Sequence, residues 1–271
     1  MSGRNAGGRI ARLKARLSDR DMAVLGTLFH LRLLRAEHIQ RLHVADGSAA
    51  TQARRTRSLL QRLYELKVVV RFARRIGGVR AGSSGFIYGL SGLGLAILET
   101  SGPFGGRRRT IWETKPAFQD HILAVAELYV ELVEAHRAGK AELLSFDGEP
   151  ACWRRFTGIG GAALTLKSDA YVRLGVGDFE RHTFIEMDMG SERAPAVRRK
   201  LQAFGAYWRT GIEQQMSGIF PLVLWLVPDE DRRIKIAEVI HQMAHETQQL
   251  FAVMPLRDGV TWLTAPTGEG E

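Results

Sequence analysis

The chain has 271 residues, 45% of them hydrophobic and 25% charged, an ordinary globular composition that excludes collagen-like and wholly disordered structure. Its formal charge of +9 divides unevenly: residues 1–115 hold 22 Lys/Arg against 7 Asp/Glu, a net of +15, and the remainder holds 16 against 22, a net of −6. The basic half is suited to a polyanion, with nucleic acid the leading partner and an acidic membrane surface the rival. A single cysteine, Cys152, excludes a disulfide framework, and no apolar run approaches the roughly 18–20 residues of a membrane span. The basic N-terminus lacks the apolar core of a secretory signal. These features predict a cytoplasmic protein with no membrane partner.

The sharpest seam is Ser101–Thr110, where Gly and Pro interrupt all periodicity and the charge balance changes sign beyond it. The expected organisation is a basic flexible arm over 1–17, a first domain over 18–100, a Gly/Arg linker over 101–115, a second domain over 116–265 and a frayed tail over 266–271.

In the first domain, Ser18 and Asp21 form a capping-box pattern, and Val24, Leu25, Leu28 and Leu31 follow at helical spacing. A second short helix is expected over 35–42. A third begins after Ala45-Asp-Gly-Ser48, with Ala53, Thr56, Leu60 and Leu63 on its core face. Thr51, Arg54, Arg55, Ser58 and Arg62 then fall on the opposite, solvent side. Val68–Arg75 reads as a β-branched strand, Arg80–Gly85 as the extension of a hairpin, and Phe86–Tyr88 as its return. Ser91 caps a further helix through Leu98.

Three helices followed by a basic hairpin is the order of a winged helix-turn-helix domain, in which the third helix enters the major groove of double-stranded DNA. Helix three holds four exposed or flanking arginines against one glutamate, Glu65, so little within it neutralises them. Arg54 and Arg55 are placed for base edges, where bidentate arginine to guanine is the commonest specific contact. The hairpin adds Arg71, Arg74, Arg75 and Arg80 to the DNA-binding candidates, with Arg71, Arg74 and Arg75 placed for phosphates. Solvated arginine faces and protein–protein docking are the competing readings of the same pattern.

The second domain should open on a helix over 117–138 with Pro116 at its start. Strands are expected over 142–146, 165–174, 182–188, 220–227, 251–254 and 261–263, with helices over 195–208 and 231–244. This is a mixed sheet with helices on its faces. Asp169 lies on one of these strands, and Glu186 and Asp188 share one face of the next. Half-buried carboxylates of this kind need cationic side chains or a metal, and oxygen-only ligands suit Mg or Mn.

Phe146-Asp-Gly-Glu149, Lys167-Ser-Asp-Ala170 and Phe184-Ile-Glu-Met-Asp-Met-Gly-Ser-Glu192, followed by Lys200 and Tyr207, resemble the replication-relaxation family of plasmids and integrative elements. The likeness spans about Ser18 to Pro228. It implies an α+β chain in which a winged helix is followed by a domain resembling the PD-(D/E)XK nuclease fold. It further implies metal positions at Asp169 and Glu186, with catalysis by Asp169, Glu186, Asp188 and Lys200 if the site is active. The lysine expected two residues after the glutamate is replaced by Asp188, so Lys200 on the following helix would have to supply the amine. Equally, Arg198, Arg199 or Lys200 could neutralise the acids and leave a non-catalytic scaffold.

The resulting expectation is a DNA-binding protein of a mobile element, acting in plasmid replication or transfer, with replication or conjugation proteins as further partners. The alternatives are a transcriptional regulator with a dimerising or sensing second domain, and a Mg/Mn-dependent endonuclease. A homodimer suits a winged-helix reader, although no coiled-coil repeat announces one. Weaker signals are set aside: the His241/His245 pair expected on one helix has no evident third ligand, Gly89–Gly94 and Gly158–Gly161 lack the context of a phosphate loop, and no motif surrounds Cys152.

Overall fold

The computed structural model describes residues 3–72, 85–102, 116–158 and 160–266. The chain separates into two compact units, Met1–Val130 and Glu131–Glu271. Arg74, Arg75, Arg80 and most of the Gly/Arg segment lie outside the described residues, as does the tail from 267.

The first unit begins with α1 (Gly3–Lys14), which lies within the segment expected as a basic arm. Ile10, Leu13 and Leu17 are half-buried while Arg9, Arg12 and Arg16 are exposed, and the helix packs on α5 further along the chain. An amphipathic stripe of this kind is what converts a basic segment into a docked helix. Next come α2 (Asp19–Leu31), β1 (Leu33–Arg35), α3 (Ala36–His43), α4 (Ala49–Glu65), β2 (Val69–Phe72), β3 (Ile87–Leu90), α5 (Gly92–Glu99) and the long α6 (Pro116–Arg137).

The Ser18 capping box is present: the serine side chain accepts from Asp21 N, and the Asp21 carboxylate accepts from Ser18 N at 2.8 Å. Val24, Leu25 and Leu28 of α2 join Ile39, Leu60, Leu63 and Ile97 in one buried core. On α4 the buried face is Thr56, Leu59, Leu60 and Leu63, and Ala53 lies at its margin. The predicted hairpin is the antiparallel pair β2–β3, and β1, too short to announce itself in the sequence, adds to it in the order β1–β3–β2.

Gly94 explains its own place in the discounted glycine pattern. A Cβ there would stand 2.2 Å from the Val68 carbonyl oxygen, so glycine allows α5 to close on the start of β2. The division between the units falls inside α6 and not at its start. Its first half is tied to the first unit by Ile122 and Leu123, which pack with Leu33 and Ile87.

The second unit adds β4 (Glu142–Gly148), β5 (Arg154–Thr157), β6 (Ala163–Leu166), β7 (Ala170–Val176), β8 (Phe179–Met187), α7 (Ala194–Trp208), α8 (Ile212–Ser217), β9 (Leu222–Val227), α9 (Glu230–His241), α10 (His245–Gln248), β10 (Phe251–Pro255) and α11 (Gly259–Thr264). Five strands form a mixed sheet in the order β10–β9–β8–β7–β4. The β4/β7 and β7/β8 pairs are antiparallel, and β8/β9 and β9/β10 are parallel. The chain is thus α+β with a mixed central sheet.

The strand expected over 165–174 is two elements. β6 pairs with β5 in a separate two-stranded sheet, and β7 enters the main sheet. The β5–β6 pair packs its Phe156 and Leu166 with Tyr171, Phe184, Phe204 and Tyr207. It is pinned by Arg154, which donates to Glu213 at 2.6 Å and to the Cys152 carbonyl at 2.9 Å. Val197 and Leu201 of α7 meet Trp225 and Val227 of β9 and Ile236 of α9 in a second cluster.

Two further expectations are corrected. Residues 261–263 are helical, within α11, because the Arg181 guanidinium donates to the carbonyls of Trp262, Leu263 and Ala265 and so satisfies the end of a helix. His241 ends α9 while His245 begins α10, so the two histidines do not share a helix.

Candidate nucleic-acid interface and carboxylate cluster

The exposed face of α4 carries Arg54, Arg55, Arg57 and Ser58, with Thr51 half-exposed at its first turn. Ser48 caps this helix by accepting from Thr51 N, which fixes its start and the phase of the arginines that follow. Arg54 and Arg55 line a groove of about 760 Å³ together with Ser58, Arg62 and the first residues of α2, among them Arg20. Arg20 is a cation that the sequence pattern did not single out. It lies 3.5 Å from Asp46, whose backbone carbonyl also accepts from Arg55 at 3.3 Å.

Arg62 differs from its neighbours. Its guanidinium donates to the buried Asp21 carboxylate at 2.6 Å, so it joins α4 to the capping box of α2. Arg71 on β2 has its guanidinium 4.5 Å from the centroid of Tyr64 and 4.2 Å from that of Phe86. The structure therefore brings Arg54, Arg55, Ser58 and Arg62 to one groove and places Arg71 in a separate stack.

In the second unit, Asp169 precedes β7, Glu186 lies near the end of β8, and Asp188 follows that strand. All three are buried, more deeply than the half-buried state expected of them. Asp169 accepts from Met187 N at 2.7 Å, and Asp169 N donates to the Ile185 carbonyl. Glu186 pairs in register with Trp225 and accepts from Lys200 Nζ at 2.9 Å. Lys200 makes a second ion pair with Glu192, also at 2.9 Å.

Asp188 accepts from Arg232 Nη2 at 2.5 Å and from Gly190 N at 2.6 Å. Arg232 also donates to the Glu192 carbonyl at 2.6 Å, so Glu192 links the two cations. A buried acid at 188 signals the need for a cation. That the cation is Arg232, 44 residues away, emerges only once α9 is folded beside β8. Arg198, one of the three cations considered for the acids, instead bonds to Gln242.

Burial, and then the neighbouring Asp169 carboxylate, push the Glu186 carboxyl well above its ordinary value, against the pull of Lys200. For Lys200 burial acts downward, but the carboxylates of Glu186 and Asp169 outweigh it and raise the ammonium further. An ammonium already occupies Glu186, a guanidinium occupies Asp188, and among the described residues no three His, Cys, Asp or Glu side chains are grouped to hold a metal. The arrangement is a neutralised acidic cluster that joins β8, α7 and α9. Among the described residues, no helix is long and apolar enough to cross a membrane.

No curated protein and no solved structure matches the chain. A family model described as replication-relaxation matches residues 25–223, well over half of the sequence and across both units. The chain belongs to the replication-relaxation family.

Proposed function

We propose that this chain is a double-stranded-DNA-binding protein of a plasmid or other mobile element. It would act in the cytoplasm in replication or transfer, reading DNA through a winged helix in its first unit. The observation that carries this reading is the groove on α4, where Arg54 and Arg55 stand exposed beside Arg20. The element order α2–β1–α3–α4–β2–β3 and the sheet order β1–β3–β2 support it, since in a winged helix of that order α4 would be the recognition helix. Membership of the replication-relaxation family supports a role in mobile-element replication or relaxation over promoter control.

For the second unit we propose a nuclease-like fold that serves as a platform and does not cut. The mixed sheet, with Asp169 and Glu186 on adjacent strand ends, supports the likeness to the PD-(D/E)XK fold. The occupation of Glu186 and Asp188 by Lys200 and Arg232 supports a structural role for those acids.

Binding of the full chain to labelled duplex DNA across a salt series tests the first part. Affinity should fall steeply with salt, because cations that neutralise phosphates release counterions. Absence of binding at low salt would overturn the reading. Sequencing of DNA crosslinked to the protein in cells then separates the processes: sites at a replication or transfer origin support the proposal, and sites at promoters support a transcriptional regulator.

A further inference from the structure

The arginine of β2 and two aromatic rings form a feature that duplex binding through α4 does not use. Tyr64 and Phe86 are each about 40% exposed, large values for aromatic side chains, and the Arg71 guanidinium is stacked between them. Their convergence follows from the local fold. Arg71 pairs with Tyr88 across β2–β3, so Phe86, two residues earlier, is its diagonal neighbour on the same face. Tyr64 comes from the last turn of α4 and closes the stack from the other side.

On α4 the arginine nearest to the stack in phase is Arg57. At ~100° per residue, Tyr64 falls roughly 20° from Arg57 around α4, on the flank away from Arg55 and Arg62. Exposed aromatic faces adjoining a run of arginines are what an unpaired nucleobase recognises: the rings extend its stacking and the guanidiniums meet its phosphate. A fully paired duplex presents no base face to these rings. Resting on the DNA-binding reading above, we propose that Tyr64, Arg71 and Phe86 form a stacking platform for unpaired bases of single-stranded or locally opened DNA.

The test uses the full chain and three fluorescent probes of common sequence: a closed duplex, the same duplex with a central unpaired bubble, and the single strand. Wild type should bind the bubble at least about fivefold more tightly than the closed duplex, the lower end of what one stacked base supplies. The double variant Tyr64→Leu/Phe86→Leu keeps apolar bulk but loses the rings. It should lose the bubble preference while duplex affinity, which also reports intact folding, stays within about twofold. Equal affinity of wild type for bubble and duplex, or a preference that survives in the variant, would overturn the platform and leave duplex binding standing. Failure to bind any of the three probes would instead overturn the DNA-binding reading itself.

Discussion

The Arg62 guanidinium of α4 reaches across 41 positions of sequence to Asp21 of α2, at 2.6 Å, and Asp21 has no exposed side-chain surface. The same carboxylate accepts from the backbone and hydroxyl of Ser18. One side chain therefore caps the first core helix and orients the helix that presents the arginine groove. Asp21→Ala would remove both functions, and we expect a loss of about 2–4 kcal/mol, somewhat below the cost of breaking a fully buried pair because Arg62 can return to water. Arg62→Ala leaves Asp21 its two Ser18 bonds, so its cost should be nearer ~1–2 kcal/mol. Urea unfolding of the two variants checks this, and a smaller loss in Asp21→Ala than in Arg62→Ala would contradict it.

Arg54 and Arg55 should behave in the opposite manner. Both are exposed on α4, and surface changes of this kind alter stability by no more than about 0.5 kcal/mol. Their replacement by alanine should instead weaken duplex binding. Removing an arginine that neutralises one phosphate should flatten the slope of log affinity against log salt by about 0.9. An arginine that reads a base edge would relax sequence preference with little effect on that slope. Measuring slope and preference together for Arg54→Ala and Arg55→Ala separates the two roles, and unchanged values for both variants would remove α4 from the interface.

How far the sequence could be read follows from the range of the forces involved. Helices α2, α4, α5 and α7 were legible because caps and the 3.6-residue period act within a few positions: Ser18, Ser48 and Ser91 each cap their helix through a bond to a residue three ahead. β1 was not legible, because three residues carry no period and the strand exists only through its pairing with β3. The partners of the acids were half legible. Lys200 is 14 residues from Glu186 and was among the expected cations, whereas Arg232 is specified by the packing of α9. Arg62 was assigned to the solvent face correctly by its phase, yet its guanidinium is committed to Asp21, which no helical wheel can indicate.

Glu186 should make stability depend on pH in a direction opposite to most carboxylates. Its folded value is raised above the ordinary 4.5 by burial and by Asp169. A raised value means that the folded state holds the proton more tightly than the unfolded chain. Its contribution is therefore complete below pH ~4.5 and is lost as pH rises toward the folded value. Lys200, also raised, loses its own contribution only above its ordinary 10.5. Glu186→Gln preserves an acceptor for Lys200 and removes the titration. The stability of wild type relative to this variant should thus decline as pH rises above about 4.5 in urea titrations, with wild type never gaining. Parallel curves for the two proteins would show that Glu186 does not take up a proton on folding.

Cys152 supplies an internal reporter for the second unit. Its thiol is wholly buried, donates to the Ser168 carbonyl at 3.0 Å, and is pushed up to about 12 chiefly by burial. Only the thiolate attacks a disulfide reagent, and at pH 8 roughly one such thiol in ten thousand would be ionised, quite apart from access. Labelling of the native protein should accordingly be slow and should accelerate with urea in step with unfolding of the β5–β6 hairpin and the sheet beneath it. Because Arg154 holds that hairpin to Glu213 and to the Cys152 carbonyl, Arg154→Ala should raise the native labelling rate well before global unfolding begins. Rapid labelling of wild type in the absence of denaturant would show that the hairpin does not close over Cys152. Labelling that stays slow in Arg154→Ala would show that aromatic packing alone keeps it closed.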